Sequence, residues 1–185
     1  MDSATASDVG SMFLARSRYL LATEYRTKLR CAVEALPPEL VWWRPNDSSN
    51  SVGNLVLHLV GNLRQWVVSG LGGTPDVRKR AAEFATRDGL RTPELVAEIE
   101  RTLAEVDQVL STLTPAGLLE HRSIQGTDVT VFDAVLTVVQ HFSHHLGQII
   151  WIAKLHAPQA IQFVVDDGTG LVRLAWREKI RPPTI

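Results

Sequence analysis

With 185 residues, 45% of them hydrophobic and 21% charged, and a net charge of -1, the chain is long enough for one soluble domain whose core needs no covalent staples. Near-neutrality argues against a nucleic-acid binder, which wants a basic face. The single cysteine, Cys31, excludes an internal disulfide and fits a reducing compartment.

Residues 1–10, MDSATASDVG, lack the basic start and apolar run of a secretory signal. No apolar run reaches the roughly 18 residues that span a bilayer. A cytoplasmic location without membrane contact is therefore expected.

The first predicted helix covers 11–36 and places Leu14, Leu21, Tyr25, Leu29, Ala32 and Leu36 on one face. PPEL ends it, because proline cannot continue a helix. The linker VWWRPNDSSN leads into a second helix beginning near Ser51, after a run of good N-cap residues, and ending in SGLGG. Residues 71–91 then form a connection that is long for a compact domain, with RKRAAEF as a possible short helix.

A third helix opens at TPEL, with Thr92 as N-cap and Pro93 at the first helical position. Its apolar stripe runs from Leu95 through Ile99, Leu103, Val106 and Leu110 to Leu113, opposite a charged solvent face. Residues 119–130 suggest a hairpin around Gly126. The fourth helix starts near Thr130, where Asp133 makes an approximate capping box. It is apolar nearly all round, which predicts a central, heavily buried element. QFVVDDGTGLVRL suggests a second hairpin, and RPPTI a frayed end. These elements predict an all-α four-helix bundle with a long crossover between helices 2 and 3 and minor β-hairpins. It is expected to form a single domain over 1–185, with its core in 11–155 and an extension over 156–185.

Chemistry concentrates in VVQHFSHHLGQIIWIAKL, residues 138–155, which holds three of the six histidines. His141 and His145 are four apart on a helix, about 40° from each other around the axis and about 6 Å along it, so both can reach one metal ion. The alternative is a hydrogen-bonded histidine pair with no ion. Gln148 continues their stripe, while His144 is turned about 100° from His145.

The second helix carries a polar stripe of Ser51, Asn54, His58, Gly61, Asn62 and Gln65 with no charge in it. That composition fits the lining of a polar cavity better than a wetted face. Helix axes in a bundle lie roughly 8–10 Å apart, so His58 is the natural third ligand. Three neutral imidazoles leave open positions on an ion, as catalytic sites do, and they accept zinc, nickel, iron or copper. Asn54, Asn62, Gln65, His144 and Gln148 are candidates to orient ligands or bind substrate, with packing as the alternative.

SVGNLVLHLVGNLRQWV followed by HFSHHLGQI, together with RPNDSSNSVGNL and the EF of the crossover, resembles the DinB superfamily, the DinB/YfiT-like metalloenzymes, over about residues 11–155. The resemblance implies an up-up-down-down bundle, often a homodimer, holding a divalent metal on His58, His141 and His145. Relatives include bacillithiol S-transferases and a mycothiol-dependent maleylpyruvate isomerase. The reading that follows is a transferase in which the bound metal activates a low-molecular-weight thiol, or water, for attack on a small electrophilic substrate. A metal-dependent hydrolase is the alternative, although no carboxylate stands on the histidines' own stripe to act as base. A non-catalytic, stress-related metal-binding bundle is the third reading.

Arg78, Lys79 and Arg80 are read either as a site for the carboxylates of such a thiol or as a solvated charge run. Cys31 reads as a small core residue rather than a nucleophile. Trp42, Trp43, Trp66 and Trp151 read as core or interface residues, one or two of which could wall the cavity.

Overall fold

Prolines and capping side chains divide the chain into the helices described by the computed structural model, which covers residues 3–166, 168–170 and 172–179, with side chains from residue 7 onward. Helix α1 (Ser3–Tyr19) continues through a π-helical segment, Leu20–Tyr25, into α2 (Arg26–Ala35). Leu36 turns extended ahead of Pro37 and Pro38, and the helix stops. The predicted helix over 11–36 is thus longer at its start and carries an internal π stretch.

Ser51 caps α3 (Val52–Leu63): its Oγ accepts the Asn54 N–H at 3.2 Å, and Asn54 Oδ1 accepts the Ser51 N–H at 3.2 Å. This is a capping box in which asparagine stands for the usual glutamate. A second π-helical segment, Arg64–Ser69, follows, and the crossover to the next long helix contains α4 (Arg80–Ala85). Next come α5 (Thr92–Thr112), a hairpin of β1 (His121–Ile124) and β2 (Thr127–Thr130), and α6 (Val131–His156). The hairpin turns at Gln125 and Gly126, both with positive φ, 56° and 75°, which explains the glycine. Thr130 caps α6 by accepting the Asp133 N–H at 3.0 Å, as the sequence predicts.

The long elements form a four-sided bundle in which α2 packs on α5 and α6, and α3 packs on the same two helices. Leu29, Val33, Leu59, Leu63, Ile99, Phe142 and Ile149 meet in its core. Burying such side chains contributes about 1.5–3 kcal/mol each. Ion pairs border the seams: Arg18 holds Asp107 through two contacts of 2.7 and 3.0 Å, Arg26 holds Glu100 at 3.1 Å, and Arg64 reaches Glu98 at 3.1 Å and Glu105 at 3.3 Å. The charges of α5 therefore tie it to its neighbours as well as facing solvent.

The structure corrects two expectations. Arg91, not Thr92, occupies the N-cap of α5, because the Glu94 carboxylate takes the Arg91 N–H at 2.7 Å and fixes the first turn one residue earlier. Helix α6 is not buried all round: Trp151 is 62% and Leu155 54% exposed, since only the Val135, Val138, Phe142, Leu146 and Ile149 side faces the bundle. Trp151 therefore lies outside the core, whereas Trp42, Trp43 and Trp66 are half-buried against it.

The segment after α6 also packs. Ile161, Phe163 and Trp176 enter the core, Val165–Asp166 pairs with Val172–Arg173, and the Lys28 ammonium sits 5.0 Å above the Trp176 ring. The RPPTI end lies outside the described residues. Cys31 is half-buried and packs against the core. Among the described residues no helix is long and apolar enough to cross a membrane.

Candidate metal centre

Because α3 and α6 are neighbours, the polar stripe of α3 meets the histidine stripe of α6. Ser51, Asn54, His58 and Asn62 are all buried, so that stripe is an interior surface and not a solvent face. His58 Nε2 stands 3.1 Å from His141 Nε2, and His145 Nε2 stands 3.2 Å from the same atom. Ligand nitrogens about 2.0–2.1 Å from a common tetrahedral zinc would be about 3.3–3.4 Å apart. The three rings are already close to that spacing.

The outer ring atoms decide which way the lone pairs point. His58 Nδ1 is 2.8 Å from Glu83 Oε2, and His145 Nδ1 is 2.7 Å from Gln148 Oε1. Both partners are acceptors and favour hydrogen on Nδ1 with a lone pair on Nε2. Arg78 Nη2 also lies 3.1 Å from His58 Nδ1, but it donates to Glu83 Oε2 at 2.9 Å, which leaves the shorter Glu83 contact to set the His58 tautomer. Two lone pairs then aim at His141 Nε2, and a single proton there cannot serve both well. His141 Nδ1 is itself buried without a hydrogen-bond partner among the described residues. A cation shared by the three Nε2 atoms resolves the competition at His141 Nε2, and the residues fit a divalent metal.

Burial disfavours a charge on the two α6 ligands. Burial, reinforced by the neighbouring His145, His58 and Arg78 charges, pushes His141 down to about 4. His145 is also lowered, by burial first and then by His58 and His144, against the opposing hydrogen bond to Gln148. Burial pushes the Glu83 carboxyl up, but the Arg78 and His58 hydrogen bonds and charges outweigh it and hold the group below its ordinary value. An ionised Glu83 therefore stands behind His58.

The crossover supplies what the histidine helix lacks. Glu83 and Phe84 come from α4, and the Phe84 ring centroid lies 4.7 Å from that of His58. The contact between α4 and α3 could not be seen from the carboxylate-free stripe around His141. The EF dipeptide marked the place without indicating a role. A stronger signal was Gly61, mid-helix, where glycine costs up to about 1 kcal/mol relative to alanine and so implies a close neighbour.

The other candidates separate. Asn54 donates from Nδ2 to the Glu83 and Thr86 carbonyls, at 2.8 Å each, and braces the crossover. Gln65 accepts from Arg78 Nη1 at 2.9 Å and donates to Asp76 Oδ2 at 2.7 Å. Asn62 is buried in the same stripe. His144 is exposed, with its ring edge-on to His145 at 5.2 Å, and so stands beside the cluster. Together with Gln148 and Trp151 it borders a cleft of about 630 Å³ whose other wall is Ser48, Ser49 and Asn50.

Arg78 is neither a solvated charge nor a free anion receptor. Its side chain is 4% exposed, with Nε 2.7 Å from Glu83 Oε1 and Nη2 2.9 Å from Oε2. Lys79 is exposed, and the Arg80 guanidinium lies 5.0 Å from the Phe84 ring centroid.

A family model described as "Protein of unknown function (DUF1572)" matches residues 8–165. The fold is similar to that of a DinB-like protein from Bacillus cereus, with 16% identity, a TM-score of 0.57, and 71% of this chain and 86% of that one covered. A DinB-like protein from Bacillus subtilis gives 16% identity and a TM-score of 0.56 over 78% of this chain and 91% of the other. At that identity the likeness carries the fold, a DinB-like helical bundle. No curated protein matches the sequence.

Proposed function

The chain belongs to the DUF1572 family, and from the three-histidine cluster set in its DinB-like fold we propose that it is a metal-dependent transferase that attacks a small electrophile with a low-molecular-weight thiol. One observation carries the reading: three Nε2 atoms converge, with 3.1 and 3.2 Å contacts, while their outer nitrogens point away from the shared centre. A bound divalent ion would supply a Lewis acid that holds a thiol or water deprotonated at neutral pH.

The chain's own residues supply the rest. His58, His141 and His145 would hold the ion as neutral imidazoles, and three such ligands leave room for a further ligand. Gln148 fixes the His145 ring, and Phe84 covers His58 and excludes water from that side. A cleft large enough for a small molecule borders Gln148, the residue that holds the His145 ring, although the three histidines themselves do not line it.

Thiol transfer is favoured over hydrolysis because the carboxylate that touches the cluster, Glu83, is an unsuitable base. Both its oxygens accept hydrogen bonds, and its affinity for a proton is lowered. A thiolate attack needs no such base once the thiol is ionised.

The test is elemental analysis of untagged protein purified without chelator, reconstituted in parallel with zinc, nickel and iron, then assayed with a panel of thiols and electrophiles. Turnover that requires both metal and thiol, and is lost in His145→Ala, supports the proposal. Ester or amide cleavage without thiol would replace it with the hydrolase reading. Metal uptake with no turnover on either panel would leave a metal-binding bundle.

A further inference from the structure

We infer that Glu83 is the positioning residue for His58, clamped by Arg78 into a space that only Gly61 leaves free, so that the crossover is a working part of the metal centre. The inference rests on the metal-binding half of the reading above and is independent of the transfer chemistry.

Two costs are incurred at one place. A buried carboxylate–guanidinium pair recovers its desolvation penalty only with very good geometry, and apolar residues of similar volume often serve stability as well. Glycine inside a helix is also unfavourable. Yet Glu83 and Arg78 lie buried over α3 directly against Gly61, where a Cβ would collide with Glu83 Oε1 and come within 2.9 Å of Arg78 Nε. One helical turn before Gly61 on the same face stands His58, whose Nδ1 is 2.8 Å from Glu83 Oε2. Both costs are explained together if the carboxylate is there to hold the His58 ring with its Nε2 lone pair inward. A carboxylate behind a ligating imidazole fixes its tautomer and raises its basicity.

The clamp is itself held from both sides. Arg78 engages both carboxylate oxygens and also Gln65 Oε1, and Gln65 in turn receives a hydrogen bond from Gln125 of the hairpin turn. On the other side Asn54 Nδ2 holds the Glu83 carbonyl. With both oxygens accepting and the side chain buried, Glu83 is placed to act through His58 and not on a substrate. Binding reciprocity adds a consequence: if docking of the crossover strengthens metal binding, metal binding strengthens docking by the same factor.

The experiment compares wild type with Glu83→Ala, Glu83→Gln, Gly61→Ala and the control Asp88→Asn, which removes an exposed carboxylate from the same crossover. Zinc affinity is measured by competition with a chelating dye. The His58 tautomer is read from long-range imidazole 15N–1H spectra of the metal-free protein, and amide exchange over residues 80–86 is followed with and without zinc. Expected are a loss of about 10–100-fold in affinity for Glu83→Ala, a loss in the same direction for Gly61→Ala, and no change for Asp88→Asn. His58 should lose its Nδ1–H preference in Glu83→Ala; Glu83→Gln should lose affinity in the same direction while its amide oxygen can keep that tautomer, and zinc should slow exchange over 80–86 in wild type.

Unchanged zinc affinity in folded Glu83→Gln and Gly61→Ala would overturn the inference, even if Glu83→Ala does not fold. Failure of wild type to bind zinc, nickel or iron would overturn it together with the metal reading. Tight zinc binding that depends on Glu83, with no thiol transfer, would leave it standing while the proposed activity falls.

Discussion

The three histidines are not equivalent, and the difference lies in what stands behind each ring. His58 has a carboxylate, His145 an amide oxygen, and His141 no hydrogen-bond partner at its buried Nδ1 among the described residues. A charged His141 is therefore costly, and its proton leaves near pH 4 in the folded chain against an ordinary value of 6.5. Between those limits the unfolded state binds more protons than the folded one, so metal-free protein should lose stability as pH falls from 6.5 towards 4. His145, lowered in the same sense, adds to the loss. Glu83 has the opposite polarity of group but the same outcome in a lower window: its contribution is present above 4.5 and disappears as pH falls through its depressed value. Urea midpoints of the metal-free protein at pH 7 and 5 test this, with a lower midpoint at pH 5 and a smaller difference in His141→Gln. The three histidines could be found from spacing and from the uncharged stripe on α3, because helical geometry alone places i and i+4 on one face. Glu83 could not, since its contact depends on how the crossover carrying α4 folds onto α3.

Among the elements, the start of α3 carries the most connections. Asn54 completes the capping box with Ser51, accepts from Arg44 Nη2 at 2.5 Å, and holds two crossover carbonyls. Asn54→Ala would strip these groups of partners in a buried setting and is expected to cost about 2–4 kcal/mol. Denaturant unfolding measures the loss, and faster amide exchange over residues 80–86 would locate it. A destabilisation with no change in that exchange would mean that Asn54 serves the cap alone. The helix boundaries here were legible because PPEL, Ser51 and Thr130 act through local chemistry. The π-helical segments Leu20–Tyr25 and Arg64–Ser69 were not, because they follow from packing and leave the apolar periodicity almost unchanged.

For the molecule as a whole, the bundle is completed by the segment that follows its last helix. Trp176, 2% exposed, packs with Phe163 and Ile161 and lies beyond residues 8–165 that match the family model. Arg30 reinforces the closure through Nη2, which donates to the Lys179 carbonyl at 3.0 Å. Trp176→Ala should cost about 3–5 kcal/mol, read as a lower urea midpoint. The segment holding it packs on α2, which bears none of the three histidines, so zinc affinity of the folded variant should be unchanged. A fall in zinc affinity would instead tie the C-terminal segment to the metal centre. The four-helix architecture was legible from amphipathic stripes. The closing segment was not, because a tryptophan in a short, irregular stretch shows no period, and only the assembled core reveals that it is filled.

Gly61 has a further consequence for how sequences of this kind can vary. A chain that placed any larger residue at that position would have no room for the Arg78–Glu83 pair in its present seat. The three positions should therefore change together across related chains, although they are separated in sequence by a turn and a crossover. Glycine would accompany the arginine and the glutamate, and a bulkier residue would accompany their joint loss. In chains of the second kind His58 would need a different acceptor, found elsewhere than in the crossover.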